Sequence, residues 1–251
     1  MLRLCTVRCG VISDIHGNLE GLLAVLEALG DVDLLISAGD IVGYGPDPNA
    51  CCEIMQEQNA LCVLGNHDAA VIGRMPIEWF NPIAADALLW TREQITEENQ
   101  AFLETLPLVH WDDTFVLTHA SLSAPEEYEY ITSSWEARPS FAEMGPLRLC
   151  FIGHTHIAEF YWQRIGEIWV HQVNTGAGGI IELQEDVRYI VNSGSAGQPR
   201  DFDARSSAAI YDSEAQTIEV LRVEYPITDT QRKMRAAGLP EPLIRRLEYG
   251  T

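Results

Sequence analysis

The chain has 251 residues, of which 47% are hydrophobic, so it is long enough to bury a full core as one large domain or two small ones. It carries 16 Lys and Arg against 37 Asp and Glu, a formal net charge of −21, which disfavours binding to nucleic-acid backbones and anionic lipid. The apolar runs have the length of strands and fall well short of the roughly 20 residues of a membrane-spanning helix.

Neither the start of the chain nor its cysteines suggest export. The first residues, MLRLCTVRCGVISD, contain an Arg and no small-residue cleavage site, unlike a signal peptide. No CxxC pair occurs among the six cysteines, so in a chain of this length we expect reduced thiols in the core rather than disulfides. We therefore predict a cytoplasmic protein.

Strands and helices alternate in the N-terminal half. Residues 7–13 are apolar and indicate a strand, and leucines at helical spacing follow in residues 19–29. DLLISAGD and ALCVLGN indicate two more buried strands, and helices are predicted at residues 47–58, around residue 90 and at residues 93–106. This β-α-β-α order predicts a mainly parallel sheet covered by helices.

Strands dominate from residue 108 onward. They are LVHW, TFVLTH, LRLCFIG, EFYWQR, EIWVHQV, GGIIEL, YIVNS, SAAIYD and TIEVLRVEY. The turns at residues 164–166 and 184–186 are typical of hairpins and predict an antiparallel second sheet. Overall we predict an α/β fold, a four-layer α-β-β-α sandwich with two mixed sheets flanked by helices.

We predict a single domain over residues 1–251, because no linker, repeat or low-complexity segment interrupts the chain. Residues 121–145 fit neither sheet and are rich in aromatic side chains, so we expect a lid or cap there. Residues 226–251 are predicted to form a helical tail with five basic and three acidic residues. This tail packs on its own domain in the simplest interpretation, while a homodimer or a partner contact stays open.

Five of the predicted strands run into side chains that bind metals. The motifs SDIHGN, SAGDIVGYGP, LGNHD, VLTHA and FIGHTH supply Asp14, His16, Asp40, Asn66, His119, His154 and His156. Because strand ends converge at the carboxyl edge of an open α/β sheet, these residues can meet although they are distant in sequence. Seven oxygen and nitrogen donors can hold two divalent ions if one carboxylate bridges them. The sequence thus predicts a metal site at the strand ends.

Each motif alone also has an ordinary structural explanation. A single acid at a strand end is usually a helix cap, and a single histidine is usually a polar residue with ordinary hydrogen-bond partners. Asn18 is a credible N-cap of the helix that follows. Five motifs in this order, each ending a strand, favour the metal site. Five of the seven histidines lie in them, and only His110 and His171 lie elsewhere, on predicted strands.

Written as D-x-H, G-D, G-N-H-D, H and G-H-x-H, the motifs resemble the calcineurin-like metallophosphoesterase superfamily over residues 10 to about 156. GDIVGYGPDPN and NSGSAGQPRD are similar to its bacterial small-phosphoesterase branch and extend the resemblance to about residue 201. The resemblance implies one metal ion held by Asp14, His16 and His156. It implies a second held by Asn66, His119 and His154, with Asp40 bridging the two ions.

The same donor set suits phosphoester hydrolysis on chemical grounds. Two metal ions roughly 3.5–4 Å apart neutralise the phosphate charge and ionise a bridging water near neutral pH, so no separate protein base is needed. Nitrogen and oxygen ligands without thiolate suit two divalent ions of Mn, Fe, Ni or Zn. By resemblance His67 stabilises or protonates the leaving oxygen, a role typically worth about 10²–10⁴ in rate.

The sequence departs from the protein Ser/Thr phosphatases of this superfamily. Those enzymes have Asp-Arg-Gly where this chain has Gly43, Tyr44 and Gly45. The acid that would orient His67 and the arginine that would hold phosphate are therefore both absent. This departure disfavours a phosphoprotein phosphatase of that type.

Four residues are candidates for roles near the metal site. Asp68 could orient His67, with a first-turn helix acid as the alternative. Arg200, in a Gly-rich turn, is a candidate catalytic phosphate ligand, with a plain turn as the alternative. Tyr44 and, in the lid, Tyr128 are candidate substrate contacts, and Tyr44 could instead simply pack.

We conclude from the sequence that the chain is a dinuclear-metal hydrolase of a small phosphomonoester, phosphodiester or nucleotide. Alternatives are a phosphoprotein phosphatase or a nuclease, which the missing arginine and the net charge respectively disfavour. A non-catalytic scaffold of the same fold, like the retromer subunit, is a further alternative, but its mark is loss of the catalytic histidine, and His67 is present. The expected partner is a small phosphorylated substrate, with neither duplex nucleic acid nor membrane.

Overall fold

The computed structural model describes residues 7–251, which contain two six-stranded sheets. In chain order the strands are β1 (Arg8–Ile12), β2 (Leu34–Ser37), β3 (Leu61–Cys62), β4 (Val109–Trp111), β5 (Val116–Thr118), β6 (Leu149–Ile152), β7 (Ala158–Arg164), β8 (His171–Asn174), β9 (Gly179–Glu182), β10 (Val187–Ser193), β11 (Ser206–Asp212) and β12 (Thr217–Val223). All of the strands predicted from the sequence are present.

Eight α-helices accompany the strands in this part of the chain. They are α1 (Leu19–Leu29), α2 (Pro48–Glu57), α3 (Asn66–Val71), α4 (Pro82–Gln94), α5 (Glu97–Thr105), α6 (Ser134–Glu143), α7 (Ile227–Ala236) and α8 (Glu241–Tyr249). Asn18 caps α1 as predicted, because its side chain accepts a hydrogen bond from the backbone N–H of Gly21 at 3.1 Å. None of the described helices has the length and apolar character needed to cross a bilayer.

The order of strands is β3-β2-β1-β11-β12-β9 in the first sheet and β4-β5-β6-β10-β7-β8 in the second. Alternate residues of a strand face opposite sides of its sheet, so Cys9 and Val11 join the core between the sheets while Ile12 joins the core beneath the helices. Phe141 of α6 packs on the other face of the second sheet. The predicted four-layer sandwich with two mixed sheets is confirmed.

The predicted division of parallel and antiparallel strands between the two halves of the chain is wrong. β11 pairs antiparallel with β1, and β12 and β9 continue the first sheet. β5, β6 and β10 run parallel in the second sheet. The turn at residues 184–186 joins β9 to β10, which lie in different sheets, so it closes no hairpin. Pairings between segments about 200 residues apart decide this arrangement, and local turn signals do not reveal them.

The C-terminal residues fold back onto the N-terminal half. α7 and α8 are separated by residues 237–240, and Leu243, Ile244 and Leu247 of α8 are buried together with Tyr44 and Ala84. This packing brings α8 close to the loop that follows β2. The helix at the end of the sequence therefore lies near the carboxyl edge of the first sheet.

Candidate metal centre

The loops that follow five strands bring the seven predicted metal ligands together. Asp14 and His16 follow β1, Asp40 follows β2, and Asn66 begins α3 after β3. His119 follows β5, while His154 and His156 follow β6, so both sheets contribute. All seven side chains are buried, the most exposed being Asn66 at 8%.

Five of these seven residues adopt a left-handed backbone conformation. Their φ angles lie between +51° and +70°: Asp14, His16, Asp40, His154 and His156. This region is uncommon for residues with a side chain, and such strained residues cluster at functional sites. The turns that follow the strands are therefore shaped to present these side chains.

One donor group combines Asp14, His16, Asp40 and His156. The Nε2 atom of His16 lies 3.0 Å from Nε2 of His156 and 3.5 Å from Oδ2 of Asp40. Nε2 of His156 lies 3.3 Å from Oδ1 of Asp14. Ligands bound about 2.1 Å from one ion lie about 3.0–3.4 Å from one another, so these spacings fit a metal ion.

A second donor group combines Asp40, His119 and His154. The Nε2 atom of His119 lies 3.1 Å from Nδ1 of His154, 3.1 Å from Oδ1 of Asn66 and 3.4 Å from Oδ2 of Asp40. Asp40 is the carboxylate that the two groups share. The structure thus contains two groups of possible metal ligands joined through Asp40.

Backbone carbonyls set the tautomers of three of the imidazoles. Nδ1 of each ring lies within hydrogen-bond distance of a carbonyl oxygen: His16 with Val42 at 3.2 Å, His119 with Ala38 at 2.6 Å and His156 with Gln198 at 2.6 Å. Because a carbonyl only accepts, Nδ1 donates in each case and a neutral ring presents its Nε2 lone pair to the cluster. This is the orientation that a metal ligand requires.

Burial and charge set the protonation of the cluster. Burial lowers the pKa of His16, His154 and His156 well below the usual range, so these rings are neutral. Burial also opposes charge on His119, but the carboxylate of Asp40 outweighs it and raises the pKa of His119 to about 9. Burial likewise opposes ionisation of Asp40, yet the charge of His119 holds that pKa well below its usual range.

His67 lies beside the cluster without belonging to either donor group. Its backbone N–H donates to Oδ1 of Asp40 at 2.8 Å, and its ring centroid lies 4.3 Å from that of Tyr44 and 5.0 Å from that of Phe80. A Cβ at residue 43 would lie 2.5 Å from Nδ1 of His67, so Gly43 leaves room for the ring. Burial lowers the pKa of His67 to about 4, so the ring is neutral near pH 7.

Asp68 forms backbone contacts instead of orienting His67. Its Oδ1 accepts the N–H of Val42 at 3.0 Å, and its Oδ2 accepts the N–H of Gly65 at 3.1 Å. Nδ1 of His67 has no hydrogen-bond partner in the described part of the chain. Burial, reinforced by the charge of Asp40, raises the pKa of Asp68 to about 7. The structure thus favours the first-turn alternative for Asp68.

Arg200 and Tyr44, two candidate substrate contacts, both lie beside the predicted metal ligands. The backbone N–H of Arg200 donates to the carbonyl of His156 at 3.1 Å, and its guanidinium lies 5.6 Å from the centroid of the Tyr44 ring. Tyr44 is only 6% exposed, and its ring centroid lies 4.6 Å from that of His16. Both residues line a cavity of about 450 Å³ together with His67 and His154.

The segment predicted as a lid lies only partly at this cavity. Tyr128 lines it but is 7% exposed and lies 5.9 Å from His119 between ring centroids. Tyr130 also lines it, and its ring stacks on that of His154 at 3.9 Å. Trp135 instead borders a separate cavity, beside Arg138. A lid role for residues 121–145 stays a prediction, for which Tyr130 is the best-placed aromatic residue.

Sequence reasoning missed the second basic residue of this cavity. Arg246 of α8 lines it and donates to Oε1 of Gln198 at 3.2 Å. The only signal in the sequence was the basic character of residues 226–251. That signal did not indicate which basic residue reaches the metal centre.

Comparison with known proteins agrees with this geometry. Residues 7–158 match the calcineurin-like phosphoesterase family. The chain is 39% identical over 246 residues to an uncharacterised protein of Methanocaldococcus jannaschii, covering 96% of this chain and 97% of that protein. It is 41% identical to a metallophosphoesterase of known structure from Sphaerobacter thermophilus, with a TM-score of 0.85 over 98% of this chain and 100% of that one.

A more distant relative is a protein phosphatase. Serine/threonine-protein phosphatase 1 of Salmonella typhimurium is 25% identical over 205 residues, which cover 69% of this chain and 89% of that protein. The family match itself spans more than half of the chain and includes all of the predicted metal ligands. This chain therefore belongs to the calcineurin-like phosphoesterases and is a metal-dependent hydrolase of phosphoesters.

Proposed function

We propose that this enzyme hydrolyses a small phosphomonoester, phosphodiester or nucleotide, with two divalent ions held on either side of Asp40. The observation that carries the proposal is that the Asp40 carboxylate belongs to both donor groups. When bound, two divalent ions would neutralise phosphate charge and lower the pKa of water, so that hydroxide is available as the nucleophile near neutral pH. The nitrogen and oxygen donors suit Mn, Fe, Ni or Zn.

The surrounding side chains have distinct tasks in this proposal. His67, whose ring is neutral near pH 7, donates a hydrogen bond that stabilises the leaving oxygen, and its position in the cavity wall supports this role. Arg200 binds the phosphate oxygens through its guanidinium. The guanidinium lies over the ring of Tyr44, which helps to position it. Asp68 holds the backbone of the loop that carries Val42 and thereby positions the neighbouring residues.

Cavity size and charge support a small substrate. A volume of about 450 Å³ accommodates a nucleotide or an aryl phosphate. The net charge of −21 repels a long polyanion, so duplex nucleic acid is a poor substrate. The five described cysteines are buried free thiols, which supports a cytoplasmic location.

A hydrolysis panel tests the proposal. The protein is stripped with a chelator, reloaded separately with Mn²⁺, Fe²⁺, Ni²⁺ or Zn²⁺, and assayed on phosphomonoesters, phosphodiesters, nucleotides, a phosphopeptide and duplex DNA. We expect metal-dependent turnover of small esters and negligible DNA binding at physiological salt. Hydrolysis of the phosphopeptide or of DNA faster than of every small ester would overturn the substrate assignment.

A further inference from the structure

Two arginines share a single neutral acceptor at the edge of the cavity. Arg200 donates from Nε and Nη2 to Oε1 of Gln198 at 3.3 and 2.9 Å, and Arg246 donates to the same atom at 3.2 Å. Gln198 is only 1% exposed. One amide oxygen cannot balance two positive charges, so the two guanidinium groups lie close together without neutralisation by their shared acceptor.

The arginines of this chain differ in whether they pair with an acid. The chain has 37 acidic residues for 16 basic ones, and six of its described arginines form ion pairs with Asp or Glu. Arg245, next to Arg246 on α8, pairs with Glu241 at 3.2 Å. Neither Arg200 nor Arg246 forms an ion pair with any residue that the structure describes. Burial and the charge of Arg200 lower the pKa of Arg246, as expected for adjacent like charges.

The two arginines lie at different depths relative to the metal centre. Arg200 contacts the backbone of the predicted ligand His156. Arg246 enters from α8, lines the same cavity itself and donates to Gln198. A phosphoryl group at the metals would meet Arg200 first, and the rest of the substrate would extend towards Arg246.

We propose that Arg246, together with Arg200, forms an anion subsite beside the metal centre and that the preferred substrate carries a second anionic group on its leaving-group side. The inference rests on the proposed function and narrows its substrate class to phosphoesters of anionic alcohols or phenols. Guanidinium forks bind carboxylate and phosphate oxygens in a bidentate manner. Glu127 is an acid that also lines the cavity, so the subsite favours one added anion over a polyanion.

Two isosteric aryl phosphates test the subsite through turnover. 4-Carboxyphenyl phosphate and 4-carbamoylphenyl phosphate have the same size and differ by one negative charge. We expect the ratio of their kcat/KM values to fall about tenfold in Arg246→Gln and less in Arg246→Lys, which keeps the charge without the fork. Arg245→Gln is the matched control on the same helix and should keep the wild-type ratio.

Non-cleavable phosphonates test the subsite without turnover. Phenylphosphonate, 4-carboxyphenylphosphonate and 1,4-phenylenebisphosphonate are titrated calorimetrically into the metal-loaded protein. We expect the two ligands with a second anion to bind more tightly than phenylphosphonate in the wild type, and Arg246→Gln to lose about tenfold of that preference. Comparison of the two ligands that carry a second anionic group shows whether a carboxylate or a phosphonate fits better.

The two experiments separate this inference from the proposed function. If the wild type hydrolyses no phosphoester with any metal but keeps an Arg246-dependent preference among the phosphonates, the subsite stands and the proposed function fails. The subsite is overturned if the preference for a second anionic group is the same in the wild type, Arg246→Gln and Arg246→Lys in both assays. Circular dichroism of each variant shows that the fold is kept, and Arg246→Lys provides a second test if Arg246→Gln does not fold.

Discussion

The Nε2 atoms of His16 and His156 lie 3.0 Å apart, although each ring donates from Nδ1 to a backbone carbonyl. Each neutral ring therefore presents a lone pair to the other, and burial disfavours protonation of both by lowering their pKa values. Two lone pairs facing each other in a buried site repel unless a cation lies between them. This pair is consequently suited to a metal ion and poorly suited to a proton.

His119 differs from these two rings, because a proton can occupy it when no metal is bound. Asp40 raises the pKa of His119 to about 9 against the effect of burial, so the metal-free ring is protonated near pH 8. A metal needs the unprotonated ring, so binding should release about one proton from His119 below pH 9 and progressively less above it. Metal affinity should accordingly rise with pH up to about 9. Calorimetry in buffers of different ionisation enthalpy measures the protons released.

A matched pair of variants assigns that proton. His119→Ala should abolish this release, whereas His154→Ala removes a neutral ring from the same donor group and should leave it in place. Burial also raises the pKa of Asp14 to about 7, so a second proton should be released only when binding is measured below pH 7. Proton release that is equal in both variants would contradict the assignment to His119.

Asp40→Asn should disrupt the whole centre. The asparagine can keep the Oδ1 contact to the backbone of His67, but it replaces the shared anionic oxygen near His16 and His119. We expect most metal to be lost at both positions together with nearly all activity. Asp14→Asn is the control, because Asp14 belongs to only one donor group and should lose about half of the metal. Two ions per chain and normal turnover in Asp40→Asn, measured by metal analysis and assay, would exclude a bridging role.

His67→Ala should separate catalysis from metal binding. The ring lies in the cavity wall but in neither donor group, so the variant should keep its metal and fold. Loss of the group that stabilises the leaving oxygen should lower kcat about 10²-fold or more. Metal content is compared with that of His119→Ala. An equal loss of metal in the two variants would show that His67 is itself a ligand.

Much of the centre could be predicted from the sequence, because each predicted ligand lies within four residues of the end of a strand. Asp14, Asp40 and His119 each lie within three residues of a strand end, and local hydrophobic pattern locates such ends well. The convergence of Asp14 and Asp40 follows from the parallel neighbours β1 and β2 in one sheet, whereas His119 comes from the second sheet. The resemblance to a known family assigned the ligands to two ions, a step that strand ends alone did not provide.

The remaining features depend on contacts between distant segments. The sequence allowed Asp68 either to orient His67 or to act as a first-turn helix acid. Only the folded position of Val42 shows that the Asp68 carboxylate binds backbone N–H groups instead of His67. Arg246 reaches the cavity because α8 packs against Tyr44, about 200 residues away. The pairing of β11 with β1 spans a similar separation. Periodicity and motif spacing carry no information about such contacts.

The aromatic residues of the predicted lid offer one more test, because they divide between two cavities. Tyr130 is 53% exposed, lines the cavity over the metal centre and stacks on His154, so its outer face is available to a nucleobase. Aromatic contacts of this kind are worth about 0.5–1.5 kcal/mol, so Tyr130→Ala should raise KM for a nucleotide roughly 2- to 10-fold. KM for a small alkyl phosphate, which offers no ring, should change less.

Trp135→Ala is the matched control for Tyr130→Ala. Trp135 belongs to the same segment and is more exposed, at 73%, but it borders a different cavity beside Arg138. Because it cannot contact a substrate held at the metals in this arrangement, its truncation should leave KM unchanged for both substrates. If Trp135→Ala instead raises KM for the nucleotide as much as Tyr130→Ala does, residues 121–145 move over the centre as one unit. Such a result would favour closure of the whole segment over a local contact by Tyr130.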